Sequence, residues 1–138
     1  MNRARRPVLQ ALVATLVALN ILSLASCAAP TPTVATVQMI TPQDAKARLD
    51  SDESILLVDV RTQAEFDAEH IAGAHVAPVE YLSTTVAQLF PDKNATYFIY
   101  CRSGNRSASA SRLLVNLGYQ HVYDLGGIID WPYETVVG

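Results

Sequence analysis

The sequence predicts an α/β domain in which helices cover both faces of a parallel sheet of about five strands, giving three layers. Two observations predict it. Short apolar runs rich in branched residues alternate with segments of helical spacing, and this alternation is typical of parallel sheets. The run at residues 55–60 (ILLVDV) is apolar almost throughout, as expected of a strand buried on both faces. The predicted domain comprises residues 38–138.

Each element has a local signal. Thr41 suits the N-cap of the first helix, and Pro42 suits its first position. Thr62 and Glu65 form a capping box at the start of the second helix, and capping alone explains Glu65 at this stage. The predicted elements are a helix at 42–50, a strand at 55–60, a helix at 62–69, a strand at 74–78, a helix at 79–89, a strand at 96–100, a helix at 107–117 and a strand at 121–125. Gly118 is expected to cap the last helix, and residues 126–127 (GG) are expected to form a turn.

Spacing also predicts which helical side chains face the core. On the helices, we expect buried residues at Ala45, Leu49, Leu82, Val86, Leu89, Ala110, Leu113, Leu114 and Leu117. The strand at 96–100 is expected to be the central one, because it leads directly into the loop that carries the chemistry.

That loop lies in residues 97–107, where an apolar strand ends in Cys101, a short polar loop follows, and a helix begins. Backbone N–H groups in such a loop turn inward and form an anion-binding concavity. The helix N-terminus adds unpaired N–H groups and partial positive charge, and Arg102 and Arg106 act in the same direction. We therefore expect a lowered pKa for the Cys101 thiol, so that the loop holds sulfur as an anion. Ligands of parallel sheets bind beyond the carboxyl ends of the strands, where Cys101 lies.

The chain has two cysteines, Cys27 and Cys101. If Cys27 carries lipid, Cys101 has no partner in the chain for a disulfide, and such a thiol is a candidate reactive group. The alternative is a buried structural cysteine. The polar, glycine-containing loop after Cys101 favours the reactive thiol.

Three motifs resemble the signatures of the rhodanese family of sulfurtransferases. Residues 101–107 (CRSGNRS) are similar to the active-site loop of that family. Residues 59–66 and 70–75 are similar to its upstream signature, and residues 125–131 (LGGIIDW) to its C-terminal one. The resemblance covers roughly residues 38–135 and implies a rhodanese-like fold.

The resemblance also implies a reaction. The Cys101 thiolate would attack the outer sulfur of a donor such as thiosulfate, and the resulting persulfide would pass sulfur to cyanide or a thiol. The expected substrate-binding residues are Arg102, Ser103, Gly104, Asn105, Arg106 and Ser107. Asp59 and Arg61 are expected to form an internal ion pair that fixes the loop. No cofactor is expected, and three scattered histidines with one free cysteine predict no metal site.

Other interpretations stay open. A cysteine-dependent phosphatase or arsenate reductase needs Cys-x5-Arg, but here Ser107 stands six residues after Cys101 and Tyr100 replaces the usual preceding histidine. A non-enzymatic persulfide carrier or redox-interaction module could use the same fold, although the presence of Cys101 favours an enzyme. Two histidines could act as acids or bases, but we expect packing roles for both: His70 and His75. Trp131 is expected to plug the edge of the sheet or to wall the pocket.

Residues 1–26 have the pattern of a bacterial lipoprotein signal peptide. Three arginines precede an apolar run at residues 8–22, and residues 24–27 (LASC) are similar to a lipobox that would make Cys27 the lipidated N-terminus. An ordinary cleaved signal and an uncleaved membrane anchor are the alternatives. We expect an exported protein, anchored by lipid to the bacterial cell envelope on its periplasmic or extracellular face.

Residues 27–37, rich in proline and threonine, are expected to be a flexible tether that carries the lipid. The chain has 10 Lys+Arg and 13 Asp+Glu, so without the three signal-peptide arginines 7 basic residues face 13 acidic ones, a net charge of −6. An acidic surface argues against nucleic acid as a partner. The expected partners are a small sulfur-containing anion, a thiol or cyanide acceptor or a protein sulfur acceptor, and the membrane through the anchor.

Overall fold

The computed structural model describes residues 34–138. The predicted signal peptide, Cys27 and most of the predicted tether lie outside the described residues. The strands are β1 (Gln38–Met39), β2 (Leu56–Asp59), β3 (His75–Val76), β4 (Thr96–Cys101) and β5 (His121–Gly127). The helices are α1 (Pro42–Ser51), α2 (Gln63–Ala68), α3 (Val79–Leu89) and α4 (Asn105–Asn116), followed by a 3-10 turn (Ile128–Asp130).

The five strands form one sheet in the order β1-β5-β4-β2-β3, and all four neighbouring pairs are parallel. This confirms the predicted α/β class, and β4 is the central strand as expected. The sheet places the carboxyl end of β4, which is Cys101, between β2 and β5. Cys101, which the sequence marks as the reactive residue, therefore lies at the middle of the sheet edge where ligands of such folds bind.

Side chains alternate along β4 between two buried clusters. Tyr97, Ile99 and Cys101 belong to a cluster that includes the inner faces of α3 and α4. Phe98 and Tyr100 belong to a second cluster that includes α1 residues and the segment after β5. Because successive strand residues point to opposite faces, the two clusters lie on the two sides of the sheet. The predicted three layers are thus present.

The helix caps follow their local signals. Thr41 caps α1 by accepting a hydrogen bond from the Asp44 backbone N–H, with Pro42 at the first position. Thr62 and Glu65 form the complete capping box of α2. Among the described residues, no helix has the length and apolar character needed to cross a membrane.

Some expectations from spacing are wrong. Leu89 is not in the core but 50% exposed, because it lies at the last residue of α3, beyond the layer that covers the sheet. Leu117, the C-cap of α4, is also outside the core and is 37% exposed. Helix α4 begins at Asn105, two residues before the predicted start, because Gly104 serves as its N-cap.

Candidate active site

The thiol of Cys101 lies at the junction of β4 and the N-terminus of α4. The residue is 1% exposed, and the Gly104 N–H donates to its Sγ at 3.1 Å. Gly104 has φ +98°, in the left-handed region that glycine adopts without strain. That conformation turns the loop back on itself, so that the backbone N–H points at the sulfur rather than away from it.

Several backbone donors decide the ionisation of this sulfur. Burial alone would raise the pKa of the Cys101 thiol. Hydrogen bonds from the backbone N–H groups of Ser107, Gly104 and Ser103, together with one from the Ser107 hydroxyl, outweigh burial, and the pKa is lowered. The direction is the one expected from the loop and the helix terminus. The thiolate is the nucleophilic form of cysteine, so the lowered pKa favours the reactive form of Cys101.

The two arginines of the loop differ in what they contact. The Arg106 guanidinium makes two parallel hydrogen bonds to the Glu65 carboxylate, at 2.8 Å to Oε2 and 2.7 Å to Oε1. The Arg102 side chain is exposed, and it belongs to none of the ion pairs formed by residues 34–138. Arg106 is therefore neutralised by α2, and Arg102 carries the uncompensated positive charge of the loop.

The interpretation of Glu65 as a capping residue alone is wrong. Its Oε2 accepts the Thr62 backbone N–H at 3.0 Å, as capping requires, but the same carboxylate binds Arg106. The contact joins two residues 41 positions apart. Glu65 thus links the second helix to the first turn of α4, beside Cys101.

The ion pair gives the fold an acid-sensitive contribution to stability. The hydrogen bond from Arg106 lowers the pKa of Glu65 to about 2, although partial burial opposes the shift. Because the folded-state pKa is depressed, the stabilisation is complete above the ordinary pKa of 4.5 and is lost as pH falls towards 2. Both side chains are 31% exposed, and solvent screening keeps the contribution to about 1 kcal/mol.

We therefore expect Glu65→Gln to lower the free energy of unfolding by about 1 kcal/mol at pH 7. The difference from wild type should shrink below about pH 4.5 and close near pH 2. Urea unfolding followed by circular dichroism at several pH values measures this. Glu53→Gln is the matched control, because Glu53 is exposed and belongs to no ion pair of the described residues. A Glu65→Gln difference that is the same at pH 7 and pH 2 would contradict the assignment.

The predicted ion pair between Asp59 and Arg61 is present and buried. Asp59 is 0% and Arg61 4% exposed, and the guanidinium contacts the carboxylate at 2.6 Å, from Nη2 to Oδ2. The Arg61 backbone N–H also donates to Asp59 Oδ1 at 2.9 Å. Between them, the Val60 N–H donates to the Tyr100 carbonyl at 3.0 Å. The ion pair thus flanks the residue, Val60, whose N–H holds the Tyr100 carbonyl just before Cys101.

The predicted turn at residues 126–127 is wrong, since both glycines belong to β5. Gly126 pairs with Tyr100, and Gly127 pairs with Cys101. A Cβ on Gly127 would lie 2.5 Å from the Arg102 carbonyl oxygen and 2.7 Å from Ser103 Cα. The end of β5 therefore packs directly beneath the thiol loop, and only a glycine fits there. A Gly-Gly pair in a sequence is compatible both with a turn and with two backbone segments packed closely together. Here the second applies, because Gly127 packs against the backbone of the thiol loop.

Asp124 is a residue that sequence reasoning missed. It lies on β5, and its Oδ1 accepts hydrogen bonds from Ser107 Oγ at 2.6 Å and from the Gly126 N–H at 2.9 Å. Tyr100 has a structural role that its sequence position does not reveal: it is buried, and its hydroxyl accepts the Ile71 N–H at 3.2 Å. Neither residue has a local pattern that marks it, because each acts through contacts distant in sequence.

His70 and His75 each contact an aromatic ring. His70 stacks on Phe66, with 3.7 Å between ring centroids, and its Nδ1 lies 2.9 Å from the Phe66 carbonyl oxygen. His75 lies on the edge strand β3 and contacts Phe90 edge-on.

Within the part of the chain that the structure describes, no group of three His, Cys, Asp or Glu residues is arranged to hold a metal ion. Trp131 belongs to the second buried cluster, away from the face that contains Cys101.

The sequence of this chain matches those of known proteins. A family model described as Rhodanese-like domain matches residues 41–133. The chain is 36% identical over 81 residues to thiosulfate sulfurtransferase PspE from Escherichia coli, covering 59% of this chain and 78% of that protein. It is 38% identical over 96 residues to a protein named sulfurtransferase from Allochromatium vinosum, covering 69% of this chain and 88% of that one.

The fold of this chain also matches solved structures. A structure titled rhodanese with anions, from E. coli, has a TM-score of 0.57 at 34% identity and covers 61% of this chain and 99% of that chain. The family match extends from the N-cap of α1 to beyond the 3-10 turn and so includes the whole sheet except β1. By its sheet order, its thiol loop and these matches, the chain belongs to the rhodanese-like sulfurtransferase family.

Proposed function

We propose that this protein transfers sulfane sulfur from an anionic donor such as thiosulfate to cyanide or a thiol, through a persulfide on Cys101. One observation carries the proposal. The Gly104 N–H donates to the Cys101 sulfur at 3.1 Å, and backbone hydrogen bonding from residues 103 and 107 also lowers the pKa of the thiol. Such donors stabilise any anion at that place, a thiolate or a persulfide alike. The relative named thiosulfate sulfurtransferase supports thiosulfate as the donor.

The reaction proceeds in two displacements. The Cys101 thiolate attacks the outer sulfur of thiosulfate, the sulfur–sulfur bond of the donor breaks, and sulfite leaves with the bonding electron pair. A new sulfur–sulfur bond now holds the persulfide. Cyanide then attacks the terminal sulfur, thiocyanate leaves, and the Cys101 thiolate is restored. No proton is needed in either step if Cys101 starts as thiolate, which fits its lowered pKa.

A thiosulfate–cyanide turnover assay tests the proposal. The wild-type protein should form thiocyanate with double-displacement kinetics, and Cys101→Ser should form none above the uncatalysed rate. Tyr81→Phe is a control, because Tyr81 is exposed on α3. Absence of turnover in a folded wild-type protein would contradict the proposal for this donor and acceptor, and would favour a persulfide carrier or redox-interaction module.

Arg102 is proposed to attract the anionic donor, since Arg106 is already neutralised by Glu65. We expect Arg102→Ala to raise the KM for thiosulfate by about fivefold to tenfold, with kcat changed less than about twofold. Arg112→Ala is the matched control, because Arg112 is exposed on α4 outside the loop. An unchanged KM in Arg102→Ala would show that backbone N–H groups bind the donor without this side chain.

We also propose that the protein is exported and anchored to the cell envelope by lipid on Cys27, with residues 27–37 as a tether. The proposal is supported by the lipobox-like residues 24–27 and by the composition of the segment that follows. Labelling of the wild-type protein with radioactive palmitate in a bacterial host, and loss of the label in Cys27→Ser, is the expected result. An unlabelled wild-type protein would contradict it.

A further inference from the structure

Asp124 has an unusual position for a carboxyl group. It lies in the middle of β5, is 3% exposed, and pairs across the sheet with Ile99. A buried carboxyl group destabilises a fold unless hydrogen bonds compensate it. At Asp124, two donors converge on one oxygen, Oδ1, and they come from two different elements around the thiol loop.

The first donor shapes the end of β5. The Gly126 N–H, two residues beyond Asp124, donates to Oδ1 at 2.9 Å, which is the geometry of an Asx turn. The ladder shifts register at this point: Asp124 pairs with Ile99, but Tyr100 pairs with Gly126, so Leu125 is an extra residue. The bulge brings Gly127 opposite Cys101, where it packs against the loop.

The second donor belongs to the first turn of α4. Ser107 is completely buried, and its Oγ lies 2.6 Å from Asp124 Oδ1 and 2.9 Å from the Gly104 carbonyl oxygen. The Gly126 carbonyl oxygen is a third acceptor, at 3.3 Å from the same Oγ. A hydroxyl has one hydrogen, so the carboxylate, which is the charged and closest acceptor, takes it. Hydrogen bonding from the backbone N–H of the same serine contributes to the lowered pKa of Cys101.

We propose that Asp124 is a positioning residue for sulfur transfer: one carboxylate oxygen ties the first turn of α4 to the bulge of β5 and so holds the N–H donors around the Cys101 sulfur. The role rests on the proposed function of Cys101 as the sulfur carrier. Asp124 contacts neither the sulfur nor a substrate in this scheme. It acts through Ser107 and Gly126.

Two substitutions separate the oxygen from the rest of the side chain. Asp124→Ala removes the acceptor, and we expect the N–H donors to lose their alignment, so that the ionisation midpoint of the thiol rises by about one pH unit. In the turnover assay kcat should fall by about tenfold or more, with a smaller change in KM. Asp124→Asn keeps an acceptor oxygen in the same place, and should recover most of the loss in both readouts.

The midpoint is measured as the rate of iodoacetamide alkylation against pH, on the full chain. Trypsin cleaves after Lys93 and Arg102, so mass spectrometry of peptide 94–102 reports Cys101 without interference from Cys27. Ile55→Val, a buried substitution in the other cluster, is the control for lost stability and should leave the midpoint unchanged. This readout needs no sulfur donor, so it tests Asp124 even if thiosulfate proves not to be a substrate.

Ser107→Ala removes the other side of the contact, with little change in volume. The Ser107 hydroxyl also lowers the pKa of Cys101 directly, so the double variant is needed to attribute a raised midpoint to Asp124. An unchanged midpoint in Ser107→Ala overturns the proposal even if Asp124→Ala does not fold. We expect it to raise the midpoint as well. Where both variants fold, the double variant should show less than the sum of the two shifts, because both remove the same contact. Midpoints in Asp124→Ala or Ser107→Ala that match wild type, or shift no more than in Ile55→Val, would overturn the proposal.

Discussion

Asp59→Ala is expected to lower the free energy of unfolding by about 3–5 kcal/mol, because it leaves a buried guanidinium without its counter-charge. Arg61 is 4% exposed and makes its side-chain ion pair with Asp59 alone among the described residues. Its other side-chain hydrogen bond goes to the Glu69 carbonyl oxygen, which does not neutralise the charge. Urea unfolding followed by the fluorescence of Trp131, the single tryptophan, measures the loss.

Two further variants identify the cause. Asp130→Ala removes an exposed aspartate and should change stability by about 0.5 kcal/mol or less. The double variant Asp59→Ala/Arg61→Met should recover part of the loss, because the unpaired charge is replaced by an apolar chain of similar length. A loss of less than about 1 kcal/mol in Asp59→Ala would mean that Arg61 reaches solvent easily and that the pair does not brace the strand.

Gly127→Ala is expected to lower kcat by about a hundredfold, since displacements of about 1 Å at a reacting centre have effects of this size. The new Cβ would lie 2.5 Å from the Arg102 carbonyl oxygen and 2.7 Å from Ser103 Cα. Both neighbours are backbone atoms, so no side chain can rotate away and the thiol loop must move. Gly127 has φ −108°, which alanine adopts without strain, so the effect is one of space alone.

Gly73→Ala is the matched control for Gly127→Ala. Gly73 has φ +80°, but no atom lies within 4 Å of the position that a Cβ would take, so alanine strains the backbone there without touching the loop. It should lower stability by about 1 kcal/mol and leave kcat within about twofold of wild type. Steady-state kinetics on both variants, with circular dichroism as the check on folding, make the comparison. A Gly127→Ala protein as active as Gly73→Ala would contradict the close packing of β5 beneath the loop.

The sequence was most informative where the cause of a structure is local. The limits of α3 (Val79–Leu89) follow from apolar spacing, and the capping box at Thr62 follows from two residues three positions apart. The thiol loop was predictable for the same reason, because strand, glycine and helix start follow one another directly. By contrast, β1 has two exposed residues and is held by backbone pairing with β5, so no hydrophobic pattern marks it.

The contacts that support the site were not predictable, because they join residues distant in sequence. Glu65 and Arg106 are 41 positions apart, and Ser107 and Asp124 are 17 apart. A carboxylate has the same sequence signature whether it caps a helix, faces solvent or holds a buried hydroxyl. These roles are distinguished only by how α2, α4 and β5 pack around Cys101. That packing depends on the folded domain as a whole and not on any local segment of the sequence.

The proposed reaction requires Cys101 to carry sulfur as a persulfide. Mass spectrometry of the domain from Thr31 onwards, before and after thiosulfate, tests it most directly, with Cys101→Ser as control. We predict a gain of one sulfur atom on the wild-type domain, its removal by cyanide as thiocyanate, and no gain in the variant. No gain on a wild-type thiol that iodoacetamide still alkylates would contradict thiosulfate as the donor and the persulfide cycle built on it.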